Sequence, residues 1–269
     1  MNLNADSIRS RSPRYSLCIT NYNTIETIER SINSLASQLK DQSEIVVVDN
    51  FSNDGSLKIL RRFQYEGKIK LVLQKCNRGH GRQLAFEHSS GEYIIDQLDL
   101  DDIYSQCFLD LVRLYHRKFE GNLLLCHGFL IAPRTLLNEL GGWRDLQWGE
   151  DRDLWARTAS AGKFTFIPFD PRTYMRPHGG ARSLAHRLMY QYERARDSYR
   201  IGINPAKRDS RATASSFFIR MLAVAGYIRS RFMKRYGQIG SELDRRKFIP
   251  VELARIETVK LEDLQKLLK

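Results

Sequence analysis

Glu92-Tyr93-Ile94-Ile95-Asp96-Gln97-Leu98-Asp99-Leu100-Asp101-Asp102 is the stretch on which the reading of this chain turns. It opens as an aromatic and β-branched run of strand length, 92–98, and closes on three carboxylates within four positions. The run suits a buried strand. Carboxylates crowded at a strand end repel one another and raise each other's pKa values. A hard divalent cation removes that cost and keeps positions open for phosphate oxygens. The plainer reading is a solvated acidic turn or helix cap, and the preceding sequence decides between the two.

Working upstream, 15–20, 44–49 and 69–73 read as three more strands. Helical patterns alternate with them over 24–39, about 54–63 and 82–88; Ile25, Ile28, Ile32, Leu35 and Leu39 mark the first. The order βαβαβαβ predicts a mostly parallel α/β sheet with right-handed crossovers and helices on both faces. Such sheets bind ligands at the carboxyl ends of their strands. Asn21, Asp49 and Asp99 fall there.

Downstream, the pattern predicts a helix over 106–118, a short apolar run over 123–132, and a short helix from Pro133 to Gly141-Gly142. A helix starts near Glu150, a late strand covers 164–168, 184–236 is helical and basic, and 250–269 is a last amphipathic helix. The expected organisation is a tail over 1–13, an α/β domain over 14–183 and a basic helical extension over 184–269.

The chain has 269 residues, 42% hydrophobic and 10% aromatic, enough for a substantial core. Its net charge of +12 favours phosphates, nucleic acids or anionic membrane surfaces. The four cysteines form no CxxC pair, so neither a zinc site nor a redox dithiol is indicated. With no secretory pattern at the start and no apolar run of spanning length, a reduced, cytosolic compartment is expected.

Four other constellations join the acidic strand end. Val48-Asp49-Asn50 leads to Ser52-Asn53-Asp54-Gly55; Asp49 is placed to meet a base or ribose, while Asp54 suits a helix cap. Asn77-Arg78-Gly79-His80-Gly81-Arg82 precedes a helix and resembles a phosphate cradle, with Arg82 nearest to phosphate. Gly141-Gly142-Trp143 and Gly149-Glu150-Asp151-Arg152-Asp153-Leu154 offer an aromatic acceptor platform and a catalytic base, or simply a helix start rich in acids. Arg176-Pro177-His178-Gly179-Gly180-Ala181-Arg182 is a Gly-rich loop suited to a metal or diphosphate ligand.

In this order the features resemble the family-2 glycosyltransferases of the GT-A fold, over about residues 15–183. Ile19-Thr20-Asn21-Tyr22-Asn23, Val48–Ser56, Asn77 with Gly79, Gly91–Ile94, Asp99–Asp102, Gly141–Trp143 and Glu150–Leu154 carry the likeness. The resemblance implies a GT-A type Rossmann-like sheet and an inverting sugar transfer from a nucleotide-diphosphate sugar. Asn21, Tyr22, Asn23 and Asp49 would hold the nucleotide, with Asn77, Gly79, Arg82 and Arg182 along the donor. Asp99 would meet the ribose or the metal, Asp101 and His178 would meet Mn²⁺ or Mg²⁺, and Trp143 the acceptor. Asp151 would be the general base, with Glu150 beside it. The acceptor would be a glycan or a lipid-linked molecule.

Two departures stand out. Only 49 positions separate Asp101 from Glu150, so the acceptor region is short. Asp96 and Gln97 put polar residues in a strand that the resemblance expects to be apolar. Other classes fit less well. A nucleic-acid binder lacks a motif, a nucleotidyltransferase would want glycine after the first strand, and an inactive binding module would not need intact acidic pairs. From Ser215 to Tyr236, apolar residues recur on one broad face with Arg220, Arg231 and Lys234 opposite. That segment either packs on the domain or lies in the plane of an anionic membrane, peripheral on its inner face.

Overall fold

A computed structural model describes residues 13–39, 42–175, 184–203, 217–237, 243–253 and 259–268. The first four strands are β1 (Tyr15–Asn21), β2 (Ser43–Asp49), β3 (Lys70–Leu73) and β4 (Tyr93–Leu98). They alternate with α1 (Ile28–Leu39), α2 (Ser56–Tyr65) and α3 (Arg78–Glu87). β1 pairs in parallel with β2 on one side and β4 on the other, and β2 pairs in parallel with β3. The order β3-β2-β1-β4 therefore reverses between β1 and β4, where a doubly wound sheet opens its ligand crevice.

Beyond β4 come β5 (Asp102–Tyr104), α4 (Cys107–Leu114) and a π-helical turn (Tyr115–Phe119). The apolar run expected over 123–132 is two strands, β6 (Leu123–Cys126) and β7 (Phe129–Pro133), paired antiparallel about Gly128 at φ 61°. β7 lies antiparallel on β4, so the sheet turns mixed at that seam. α5 (Arg134–Glu139), α6 (Glu150–Ser160), β8 (Phe164–Phe166) and β9 (Arg172–Met175) follow. The seven-stranded order is β3-β2-β1-β4-β7-β6-β8, with β5 and β9 forming a separate pair.

Two buried clusters cover the two faces. Ile28, Ile32 and Leu35 of α1, Leu60 and Phe63 of α2, and Phe108 and Leu111 of α4 pack against Leu17, Val47 and Ile95. Opposite, Phe86 of α3, Leu137 of α5 and Leu154 of α6 pack against Val46, Ile94 and Leu130. The helices expected on both faces are thus present. Shielding these apolar side chains from water is the main drive for this sandwich.

The later elements are α7 (Leu184–Arg200), α8 (Phe217–Arg231), a 3₁₀ turn (Arg245–Phe248) and α9 (Leu261–Leu268). They are built into the same fold. Leu253, Val259 and Leu264 are buried in the first cluster, and Phe248 meets the Phe164 ring edge-on at 5.3 Å. α7 and α8 pack backbone to backbone at Gly226, where a Cβ would stand 2.8 Å from the Tyr192 carbonyl oxygen. The final helix begins at Leu261, later than the periodicity from 250 predicts.

Candidate active site

The turn after β1 and the turn after β2 are tied together by one carboxylate. Asp49 is fully buried; it accepts from Asn21 Nδ2 at 2.8 Å, from the Ser52 amide at 2.8 Å and from Ser52 Oγ at 2.6 Å. Thr24 Oγ1 donates to Asn21 Oδ1 at 2.6 Å and closes the network. Asn21 and Asp49, expected at the nucleotide, are therefore interior struts that shape these turns. Their neighbours present the open atoms: Tyr22 is 53% exposed and Asn50 is half-buried. Asn23, at φ 57°, donates its amide to Ser52 Oγ at 2.9 Å and accepts from the Asn53 amide at 2.9 Å.

The three carboxylates after β4 diverge. Asp99 is exposed and Asp101 half-exposed. Asp102 turns inward as the first residue of β5, with its side chain 3% exposed and 2.9 Å from Arg172 Nη1. Burial is the main force raising its pKa, against the pull of Arg172. Asp102 thus fastens β5 to β9, and Asp99 and Asp101 remain as the pair able to meet a cation. Two hard oxygen donors fit Mg²⁺ or Mn²⁺, which complete their shells with water and substrate oxygens. No cluster of three or more metal-binding side chains occurs among the described residues. His178 and Arg182 lie outside the described residues.

The Gly-rich segment before α3 does structural work. Asn77 caps the helix, accepting from the His80 amide at 2.9 Å, and its Nδ2 donates to Asp145. Gly79 donates its amide to the Leu146 carbonyl at 2.9 Å, and a Cβ there would lie 2.8 Å from that oxygen. Only glycine allows α3 to approach the 144–146 loop so closely. Arg82, expected on phosphate, is 9% exposed; Nη1 reaches Asp96 Oδ1 at 2.6 Å and Nε stands 3.7 Å from Glu150 Oε1. Of the two polar residues of β4, Asp96 is explained: it is the partner of Arg82.

Trp143, expected as an acceptor platform, is 3% exposed and lies with its ring 5.0 Å from the Arg82 guanidinium. It is a core residue. Five positions on, Trp148 is half-buried and lines a cavity of about 500 Å³ with Arg78, Glu150, Asp151, Arg152, Tyr190 and others. Its Nε1 donates to Tyr190 Oη at 3.1 Å. Nothing in the sequence separated these two rings; the Gly-Gly-aromatic pattern favoured the buried one.

Gly149, at φ 76°, lets the chain turn into α6, which brings Glu150 and Asp151 to the cavity wall. Glu150 is 2% exposed, and burial first, then the Asp151 charge, push its carboxyl up to about 7, against Arg82 and Arg78. Asp151 is half-exposed. Asp153, one turn in, is fully buried between Arg144 at 2.6 Å and Arg157 at 2.7 Å. Burial opposes the charge of Arg82, but the negative charges of Asp96, Glu150, Asp99 and Asp151 outweigh it and raise the Arg82 pKa.

A mixed, doubly wound sheet with exposed acids after the strand beside its switch point, faced by an acidic helix start, defines a GT-A type fold. Residues 16–126 match the model of the family described as glycosyl transferase family 2. Over those residues the chain is similar to that family, and its fold is that of the GT-A class. The putative glycosyltransferase EpsE of Bacillus subtilis is 27% identical over 190 residues, 56% of this chain and 68% of EpsE. TarS of S. aureus has a crystal structure similar at TM-score 0.57 and 14% identity, over 94% of this chain and 53% of that one. The mannosyltransferase PcManGT of Pyrobaculum calidifontis, solved with GDP-Man and Mn²⁺, aligns at TM-score 0.54 and 19% identity, over 84% of this chain and 77% of that one. Several other curated relatives are matched over about a third of their own length or less.

Proposed function

We propose that this protein moves a sugar from a nucleotide-diphosphate sugar onto an acceptor hydroxyl, with inversion at the anomeric carbon and with Mn²⁺ or Mg²⁺. The observation that carries the reading is the pairing of Asp99 and Asp101 at the end of β4 with a half-exposed Asp151 at the mouth of a cavity about 500 Å³ in size. TarS, whose structures include complexes with UDP and UDP-GlcNAc, and PcManGT with GDP-Man and Mn²⁺ support a donor of this class.

Asp99 and Asp101 would hold the cation, which supplies charge neutralisation to the departing diphosphate. The turns braced by Asp49 present Tyr22 and Asn50 toward the nucleotide. Asp151 takes the proton of the acceptor hydroxyl as its oxygen attacks the anomeric carbon in line. One displacement on one face inverts the configuration. Glu150, on the same cavity wall, is the more enclosed of the two acids at 2% exposed.

The cavity wall suits a glycan: Trp148 supplies an aromatic face, and Met189 and Tyr190 of α7 continue it. A lipid-linked glycan would also suit the surface beyond. α8 packs one side on α7 and exposes Met221 (51%), Val224 (57%) and Ile228 (54%), with Phe232 (81%) exposed just past its end. Arg220, Arg229 and Arg231 stand among them, and residues 217–237 contain no acid. No described helix is long and apolar enough to cross a membrane. An apolar stripe edged with arginines fits the headgroup boundary of an anionic bilayer.

The test is sugar release from UDP- and GDP-sugars in the presence and absence of Mn²⁺, with Asp151→Asn alongside. Donor turnover that needs the cation, lowered about 10²–10⁴-fold in kcat by Asp151→Asn, is expected. Full activity in that variant overturns the base, and no turnover of any donor overturns the reading. For the surface, Ile228→Asp should abolish salt-sensitive binding to phosphatidylglycerol vesicles; undiminished binding removes α8 as the contact.

A further inference from the structure

β4 carries one residue more than β1 beside it. Leu17 pairs with Ile95 and Ile19 with Leu98, so two steps on β1 span three on β4. The extra residue is taken up at Asp96-Gln97, and Gln97 has φ 62°. Left-handed backbone is unfavourable for a residue with a Cβ and persists only where the surroundings impose it. Bulges of this kind re-aim side chains beside active sites.

Here the re-aimed side chain is Asp96. Its carboxylate is 1% exposed and accepts from Arg82 Nη1 at 2.6 Å and from the Gln97 amide. The guanidinium lies over Trp143 and stands 3.7 Å from Glu150 through Nε. Neither Arg82 Nε nor Asp96 Oδ2 has a hydrogen-bond partner. Packing alone would be served better by apolar side chains than by a buried ion pair with open valences. The charges of Asp99 and of Glu150 and Asp151 also raise the Arg82 pKa, so the guanidinium lies within electrostatic range of both acidic groups of the site.

We propose that Asp96 and Arg82 are positioning residues: the β4 bulge holds the Arg82 guanidinium against Glu150 and Trp143, so that it fixes the acidic start of α6 and is withheld from the donor phosphates. The inference rests on the reading of Asp151 as the base. The groups that face Glu150 are Arg78 and Arg82 from α3 and Asp151 from its own helix, with Glu193 of α7 lining the same cavity. Asp96 acts on Glu150 through Arg82. Removing the negative charge of Asp96 takes away the nearest competitor for the Arg82 charge and eases the ionisation of Glu150. Removing the positive charge of Arg82 does the reverse.

The experiment uses the full chain with Asp96→Asn, Arg82→Met and Arg82→Lys. Glu150 is titrated by carboxyl carbon NMR, its signal identified through Glu150→Gln, and UDP and GDP binding are measured by calorimetry. Asp96→Asn should move the Glu150 titration to lower pH and Arg82→Met to higher pH, while Arg82→Lys stays near the parent. Nucleotide affinity should hold within about twofold as kcat falls and its pH profile moves with Glu150. A tenfold or greater loss of nucleotide affinity in Arg82→Met, with the Glu150 titration unmoved, overturns the proposal and makes Arg82 a phosphate ligand. Shifts of the same sign in both variants also overturn it. The carboxyl titration needs no turnover, so an inactive parent protein would defeat the transferase reading without touching the pair.

Discussion

Asp197 of α7 accepts the backbone amide of Gln147 at 2.9 Å, fifty residues away in sequence. The same oxygen takes the Trp148 amide at 3.2 Å, and Arg196 and Arg200 stand at 2.7 and 3.1 Å. The loop that leads into Glu150 and Asp151 is therefore held by a fully buried carboxylate of a late helix. Asp197→Ala leaves two arginines and two amides without their acceptor. It should cost about 3–5 kcal/mol of stability, read by urea denaturation, and at permissive temperature should lower kcat. A variant as stable and active as the parent would show that this tie is idle.

Asp101 and Asp102 are neighbours with opposite orientations, and their variants should separate. Asp101→Ala should keep the melting temperature and lose cation-dependent turnover. Asp102→Asn should keep the Mn²⁺ dependence and melt earlier, because it weakens the 2.9 Å contact with Arg172 that joins β5 to β9. Thermal melts and Mn²⁺ titrations of turnover on both proteins check this.

Two tryptophans should divide in the same manner. Trp143→Ala opens a hole under Arg82 in the core and should cost about 3–5 kcal/mol. Trp148→Ala should change stability little and raise the acceptor KM about tenfold, equivalent to ~1.4 kcal/mol. Denaturation and steady-state kinetics with saturating donor distinguish them.

Acid should loosen the far edge of β2. Burial by itself raises the Glu44 carboxyl, but Lys70 at 2.6 Å and bonds from Ser16 and Ser90 outweigh it and bring the pKa to about 2. A depressed carboxylate stabilises the fold above its ordinary value of 4.5 and ceases to do so as pH falls toward 2. Glu44→Gln should therefore flatten part of the fall in melting temperature between those two values. An unchanged pH slope would show the contact to be neutral.

The alternation of β1 to β4 with α1 to α3 was readable because each strand carries a short apolar run between amphipathic segments. The antiparallel pair β6–β7 was not, because 123–132 is apolar throughout and only the His127-Gly128 turn interrupts it. Which acids are open was also hidden. Asp49 looks available in sequence, and it takes Asn21, 28 residues away, to satisfy it. Asp102 is claimed by Arg172, seventy residues on. Asp96 looked out of place until its partner on α3 was found. Local spacing names the residues that converge; long-range pairing decides which of them are consumed by the fold.

A strand counts its side chains in twos, and β4 miscounts once. Before the extra residue, Tyr93 and Ile95 point to the α1 and α4 face; after it, Leu98 and Leu100 point there too, although the parity has changed. If the same residues alternated regularly, those leucines would be delivered to the cleft and the acids at 99 and 101 to the oily side. The surplus residue acts as a half-turn inserted in a ribbon, and it sets which way the chemistry faces. Deleting Asp96 or Gln97 would remove the surplus and restore plain alternation with Leu98 and Leu100 still on that face; flattening the bulge with both residues kept is what would turn the site over.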